Sequence, residues 1–148
     1  MKTTMPAALL CALLVGACGG GDGDGLSKRE LADKANAICA KYSKEGEKLG
    51  SPDLSDPAKA EEYFNKAEDL AQNQQDELED LKPADDVKAD YDKLTKATAD
   101  ATQLLADLAA AAKARDTQKR DELVVDLRPI SQAVDDGAKA VGADDCAA

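Results

Sequence analysis

Apolar residues recur along most of this chain at spacings of three and four, the period of amphipathic helices that bury one face. In the first such stretch Leu31, Ala35, Ile38 and Tyr42 share a stripe that Leu49 continues, with Cys39 beside Ile38 on the same face. Ser27 and Glu30 stand three apart at its head, a capping-box pair that predicts a helix from about Ser27 to Leu49. Gly50-Ser51-Pro52-Asp53 ends it through poor helix propensity and the missing proline amide.

A second helix opens with Ser55 or Asp56 as cap and Pro57 at the first helical position, where a missing N–H costs nothing. Ala60, Tyr63/Phe64, Ala67, Leu70/Ala71, Gln74, Leu78 and Leu81 mark its inward side, and Lys82-Pro83 stops it. The amide run Gln72-Asn73-Gln74-Gln75 reads as a solvated face. From Val87 the positions Tyr91, Leu94, Thr98, Ala101, Leu105, Leu108 and Ala112 alternate spacings of four and three, an a/d seam for neighbouring helices. Ala109 to Ala112 are small enough for a neighbour to approach closely, and the Thr98 hydroxyl has the preceding turn to bond to.

Arg115-Asp116-Thr117 is a turn with Asp116 or Thr117 as the next cap. The last stripe runs through Leu123/Val124, Leu127, Ile130, Val134, Ala138 and Val141, with Gly142 as its stop. Pro129 falls inside it, which predicts a kink near Val125 to Arg128, or two helices over 117–127 and 130–141. Four helices with short connections predict an all-α, antiparallel up-down four-helix bundle over residues 27–148, with both ends of the domain on one side.

The chain ahead of this domain is of another kind. Lys2 is followed by the apolar run Met5 to Ala17, thirteen residues long, which suits a signal-peptide core. A spanning helix needs about 20 apolar residues. The run closes in Leu14-Val15-Gly16-Ala17-Cys18, which resembles a bacterial lipobox; an ordinary small-residue cleavage site is the plainer alternative. Residues 1–17 are thus expected to be a lipoprotein signal peptide. Cys18 is then the lipidated first residue, carrying a diacylglyceryl group and an amide-linked acyl chain such as palmitate. Two or three chains anchor stably where one holds marginally. The expected location is the outer, extracytoplasmic face of the cell membrane. Residues 18–26 read as a Gly/Asp-rich linker, and Gly19 to Gly25 would hold the domain about 15 Å from the bilayer.

Loss of the leader removes both methionines, Cys11 and Lys2, making a formal charge of −11 one unit more negative. That charge excludes nucleic acid as a partner, because phosphate binding relies on Lys and Arg. It keeps the surface soluble and admits a cationic partner. Cys39 and Cys146 are then the unlipidated cysteines, and an oxidising exported compartment favours a bond between them. Two separate thiols are the alternative. Cys39 lies three turns into the first helix, and the four-residue tail can fold back about 13 Å.

The lipobox, the Gly-rich spacer, Lys34-Ala35-Asn36-Ala37-Ile38-Cys39, Leu78-x-x-Leu81-x-Pro83, Tyr91-x-x-Leu94 and the closing Gly142-x-x-x-Cys146 together resemble small helical lipoproteins of high-GC Gram-positive (actinobacterial-type) bacteria. The resemblance covers roughly Ser27 to Cys146 and implies a fold and a location, with no activity attached. The chain departs from that pattern at Ala143-Asp144-Asp145, where an apolar residue is expected after the glycine.

With no histidine in the chain, Ser-His-Asp and Cys-His catalysis and the Glu-x-x-His di-iron motif have no basis. Haem, copper and most zinc sites want His, Met or clustered Cys. The carboxylate pairs Asp85-Asp86, Asp135-Asp136 and Asp144-Asp145 are adjacent residues, which point about 100° apart on a helix and do not converge. The chain is expected to be no enzyme and to hold no cofactor or metal. The reading preferred here is a membrane-anchored binding or interaction module of the cell envelope, meeting an envelope protein or cationic partner. A purely structural spacer, or a weak carboxylate-based cation-binding protein, is the alternative.

Overall fold

A computed structural model of the chain describes residues 25–147. The leader, Cys18 and the linker as far as Asp24 lie outside the described residues. Four helices form where the stripes predict them: α1 (Lys28–Glu47), α2 (Pro57–Glu79), α3 (Asp85–Ala114) and α4 (Thr117–Val141), followed by a 3₁₀ turn at Asp144–Cys146. The capping box closes as drawn, with the Glu30 carboxylate accepting from the Ser27 amide at 3.1 Å. Asp56 caps α2 and Asp116 caps α4, so aspartate takes both positions that the sequence left open. At the start of α3, Asp85 and Asp86 face the positive end of the helix dipole. α4 is a single helix through Pro129, not two. The carbonyl that loses its partner belongs to Val125, which is exposed, so water can take the place of the missing amide.

The helices pack antiparallel in the up-down order. Leu31 of α1, Leu78 of α2, Val87, Tyr91 and Leu94 of α3, and Ala138 and Val141 of α4 share one core cluster at the end where Leu26 and Cys146 sit, here termed proximal. A second, distal cluster joins Ala60 and Phe64 of α2 to Leu104, Leu108, Ala109, Ala111 and Ala112 of α3 and Leu123 of α4. No α1 residue takes part in it. α3 packs along both α2 and α4, whereas α1 lies against α2 and the C-terminal turn and barely meets α4. Gly46, on the inward face of α1, has nothing within 4 Å of where a Cβ would stand. Beyond it, Leu49 lies by Lys66, Asp69 and Leu70 of α2.

This divergence of α1 corrects the predicted a/d seam. Val87, Tyr91, Leu94, Leu108 and Ala112 are buried as expected, but Thr98, Ala101 and Leu105 are only half-buried. On a helical wheel these three face the place that a fourth helix would occupy, and in the distal half α1 does not occupy it. Ala97, Leu104 and Thr102, turned toward the flanking helices, are buried instead, and the Thr102 hydroxyl donates to the Thr98 carbonyl at 3.0 Å. Thr98 bonds back to Thr95 O at 2.8 Å, as its position predicts. Along α4 the same effect leaves Val124 and Leu127 exposed at 44% and 42%, although the stripe had placed both inward.

Gly137 makes the closest helix approach among these contacts, and the stripe gave no sign of it. A Cβ there would stand 2.8 Å from Leu94 Cα, so α3 and α4 meet backbone to backbone. Gly137→Ala is expected to cost about 1–2 kcal/mol, overpacking outweighing the gain in helix propensity. Gly46→Ala, with open space above it, should instead gain about 0.5 kcal/mol. Urea denaturation of the two variants checks the opposite signs.

Candidate functional site

Two places concentrate the side chains that the sequence singled out: a clip at the proximal end and the outward surface of α4. The clip begins with Gly142, whose positive φ of 81° turns the chain back at the end of α4 while the Ala143 amide bonds to Ala138 O at 2.9 Å. Ala143 is fully buried, so this alanine fills the apolar position after the glycine from which the chain seemed to depart. The 3₁₀ turn then carries Cys146 to Cys39. The two are bonded, with S–S 2.00 Å and Cα–Cα 5.0 Å across 107 residues, and both are buried. Asn36, one turn before Cys39, accepts from the Asp145 amide at 2.8 Å and so fixes the turn from the same face of α1. Gln74 of the amide run reaches inward to Cys39 Sγ at 3.3 Å, while its neighbours Gln72 and Gln75 bond to acids one turn along.

The chain's entrance is pinned at the same end. Leu26 donates to Lys82 O at 2.7 Å and accepts from the Ala84 amide at 2.9 Å, forming a bridge to Pro83. A Cβ on Gly25 would stand 2.6 Å from Pro83 C and Ala84 N. Gly25 and Leu26 therefore belong to the folded part, not to the linker in which the sequence had placed them.

Polar links hold α1 to α2 beside the clip. Glu77 Oε1 accepts from Tyr42 Oη at 2.7 Å and from Lys41 Nζ at 2.6 Å, and the ammonium lies 4.5 Å from the Tyr42 ring centroid. The Lys41 and Tyr42 hydrogen bonds hold the Glu77 carboxyl below its ordinary value, and the Glu77 bond raises Lys41. Burial and then the Glu77 bond push the Tyr42 phenol up. Tyr91 donates to Leu78 O inside the core; burial, with a smaller contribution from the Glu79 charge, holds its proton on well above the ordinary phenol range. These tyrosines are structural donors.

The carboxylate pairs do not assemble. Among the described residues no three Cys, Asp or Glu side chains come together in a way that could hold a metal ion. Nor is any described helix long and apolar enough to cross a membrane. The surface instead shows exposed apolar side chains on α4. Val124 and Leu127 are exposed on one face, and Val125, turned about 100° from Val124, is 71% exposed; nearer the start of α4 the Arg120 guanidinium donates to Leu54 O at 3.3 Å. On the other flank of α4, Leu104, Leu123, Pro129 and Ile130 floor an open groove of about 350 Å³ against α3. Val124 and Leu127 were read as core, and no periodicity argument could have exposed them, because that depends on where α1 goes. Cys18, the proposed lipid attachment point, lies outside the described residues.

No protein-family model matches the chain, and no curated protein or solved structure is significantly similar to it. The likeness to small actinobacterial-type lipoproteins therefore rests on the quoted motifs.

The Cys39→Ala/Cys146→Ala double variant is expected to lose about 2–5 kcal/mol in urea denaturation, and alkylation should label both thiols of the native chain only after unfolding and reduction. Glu77 stabilises the fold through its charged form, a contribution present above its unfolded value near 4.5 and lost as pH falls through the lower folded one. Glu77→Gln should accordingly flatten part of the fall in Tm below pH 4.5, measured by thermal melts across acid pH.

Proposed function

We propose that this chain is an exported lipoprotein, anchored by Cys18 to the outer face of the cell membrane, whose helical domain is a non-catalytic binding module for another envelope component. The observation that carries the reading is the exposure of three large apolar side chains, Val124, Val125 and Leu127, on a helix packed chiefly on α3. Val124 and Leu127, three residues apart, share one face of α4, and apolar surface that no element of the chain covers is the usual mark of an interaction site. A spacer with no ligand has no need of it.

Other features support the anchor. A buried disulfide suits an oxidising compartment outside the cytoplasm. Leu26 and Cys146 lie at the proximal end, so a tether running from Gly25 to Cys18 points that end at the bilayer. Val125 lies sixteen residues before Val141, about 24 Å up α4 at 1.5 Å per residue, and so stands away from the membrane toward a partner. The chain has no histidine to move a proton near neutral pH, and carboxylates of the described part serve in caps and ion pairs.

Cys18→Ala is expected to move the protein from the membrane pellet to the soluble fraction; retention in the pellet argues against the lipid. A photo-crosslinking residue placed at Val125 in cells should give discrete adducts, whereas one at Asp80, an exposed site at the proximal end, should give none. Equal adducts from both positions, or none from Val125, removes the binding-module reading.

A further inference from the structure

We propose that the groove between α3 and α4 is the docking site for a basic amphipathic helix of a partner protein, an inference that rests on the binding-module reading and names the partner's chemistry. The floor is apolar, made by Leu104, Leu123, Pro129 and Ile130, and the space above it is about 350 Å³. The rim is acidic: Asp100 and Asp107 stand on α3 and Asp126 on α4, and among the described residues no cationic side chain lines the groove. Lys96 offsets Asp100 through an ion pair at 2.7 Å. Asp107 accepts from Gln103 at 3.0 Å, a neutral donor that leaves its charge in place, and Asp126 has no partner among the described residues.

The spacing selects a helix over other cationic ligands. Asp100 and Asp107 are seven residues apart, two turns or about 10.5 Å along α3. A partner helix with Lys or Arg at i and i+7, and leucine-like residues between them, would meet both carboxylates and the floor at once. Val125, one turn before Pro129, is 71% exposed. An anionic membrane is the disfavoured occupant, because the acidic rim and a net charge of −11 repel its headgroups.

The test uses the full-length lipidated chain in phosphatidylcholine nanodiscs, with empty discs as blank. The probe is a 14-residue amphipathic helical peptide of leucine and lysine, compared with the same peptide carrying glutamate for every lysine. The lysine peptide should bind and the glutamate peptide should not. Asp107→Asn/Asp126→Asn should weaken binding about tenfold, and Asp33→Asn/Asp80→Asn, an equal charge change elsewhere, less than about twofold. Equal weakening by the two double variants, or binding of the glutamate peptide, overturns the proposal, as does phosphatidylglycerol binding to the groove in place of the peptide. Binding that ignores Asp107 and Asp126 but is lost in Leu127→Asp overturns the groove and leaves the binding module standing. Absence of crosslinks from Val125 in cells removes both.

Discussion

The bond between Cys39 and Cys146 holds the first helix to the last across a seam that side-chain packing hardly fills. α1 barely meets α4; its residues Leu31, Ala35 and Cys39 join the proximal core, and Tyr42 is the last buried residue along it. Closing a loop of 107 residues restricts the unfolded chain by about 4–5 kcal/mol in the chain-entropy model. That is comparable with the whole stability of a small domain, about 5–15 kcal/mol. The Asn36–Asp145 hydrogen bond, the buried Ala143 and the Leu26–Pro83 bridge all work at the same end. A covalent link and a set of backbone hydrogen bonds thus do there what a continuous hydrophobic seam does in a symmetric bundle.

The rest of the architecture follows from fixing α1 at one end. Toward its C-terminus α1 moves over α2, and the distal half becomes a three-helix layer with α3 in the middle. Core there is built from small residues: Ala60, Ala109, Ala111 and Ala112 surround Phe64, Leu104 and Leu108. Alanines allow close approach but bury little area, so this half gains less from the hydrophobic effect than the leucine- and tyrosine-containing proximal half. Side chains that a fourth helix would have covered, Leu127 and Val124 above all, remain in solvent. The exposed surface and the clip have a common origin.

Charge plays a different part. Ion pairs such as Lys66–Glu62, Lys88–Asp92 and Lys96–Asp100 are one helical turn apart and well exposed, so each adds little. Their sum does not hold the fold together. An excess of acids over bases, 30 against 19, instead sets what can approach: polyanions are repelled and cationic surfaces are drawn in. Set around an apolar floor, as along the α3–α4 groove, that general attraction acquires a spacing.

Local rules written in neighbouring residues were legible from the sequence. Ser27 with Glu30, Asp56 with Pro57, and Gly142 each act within one turn, so the helix limits and the all-α class follow from composition and period. The pairing of Cys39 with Cys146 was also open to argument, because few cysteines were left to choose from. Tertiary structure alone decided that Pro129 does not divide α4, that Gly137 meets the Leu94 backbone, and that Thr98, Ala101, Leu105, Val124 and Leu127 are not fully enclosed. The physical reason is that an apolar stripe specifies which side of a helix prefers to be covered, whereas the direction of α1, set by contacts 35 to 111 residues apart in the chain, decides whether anything is there to cover it.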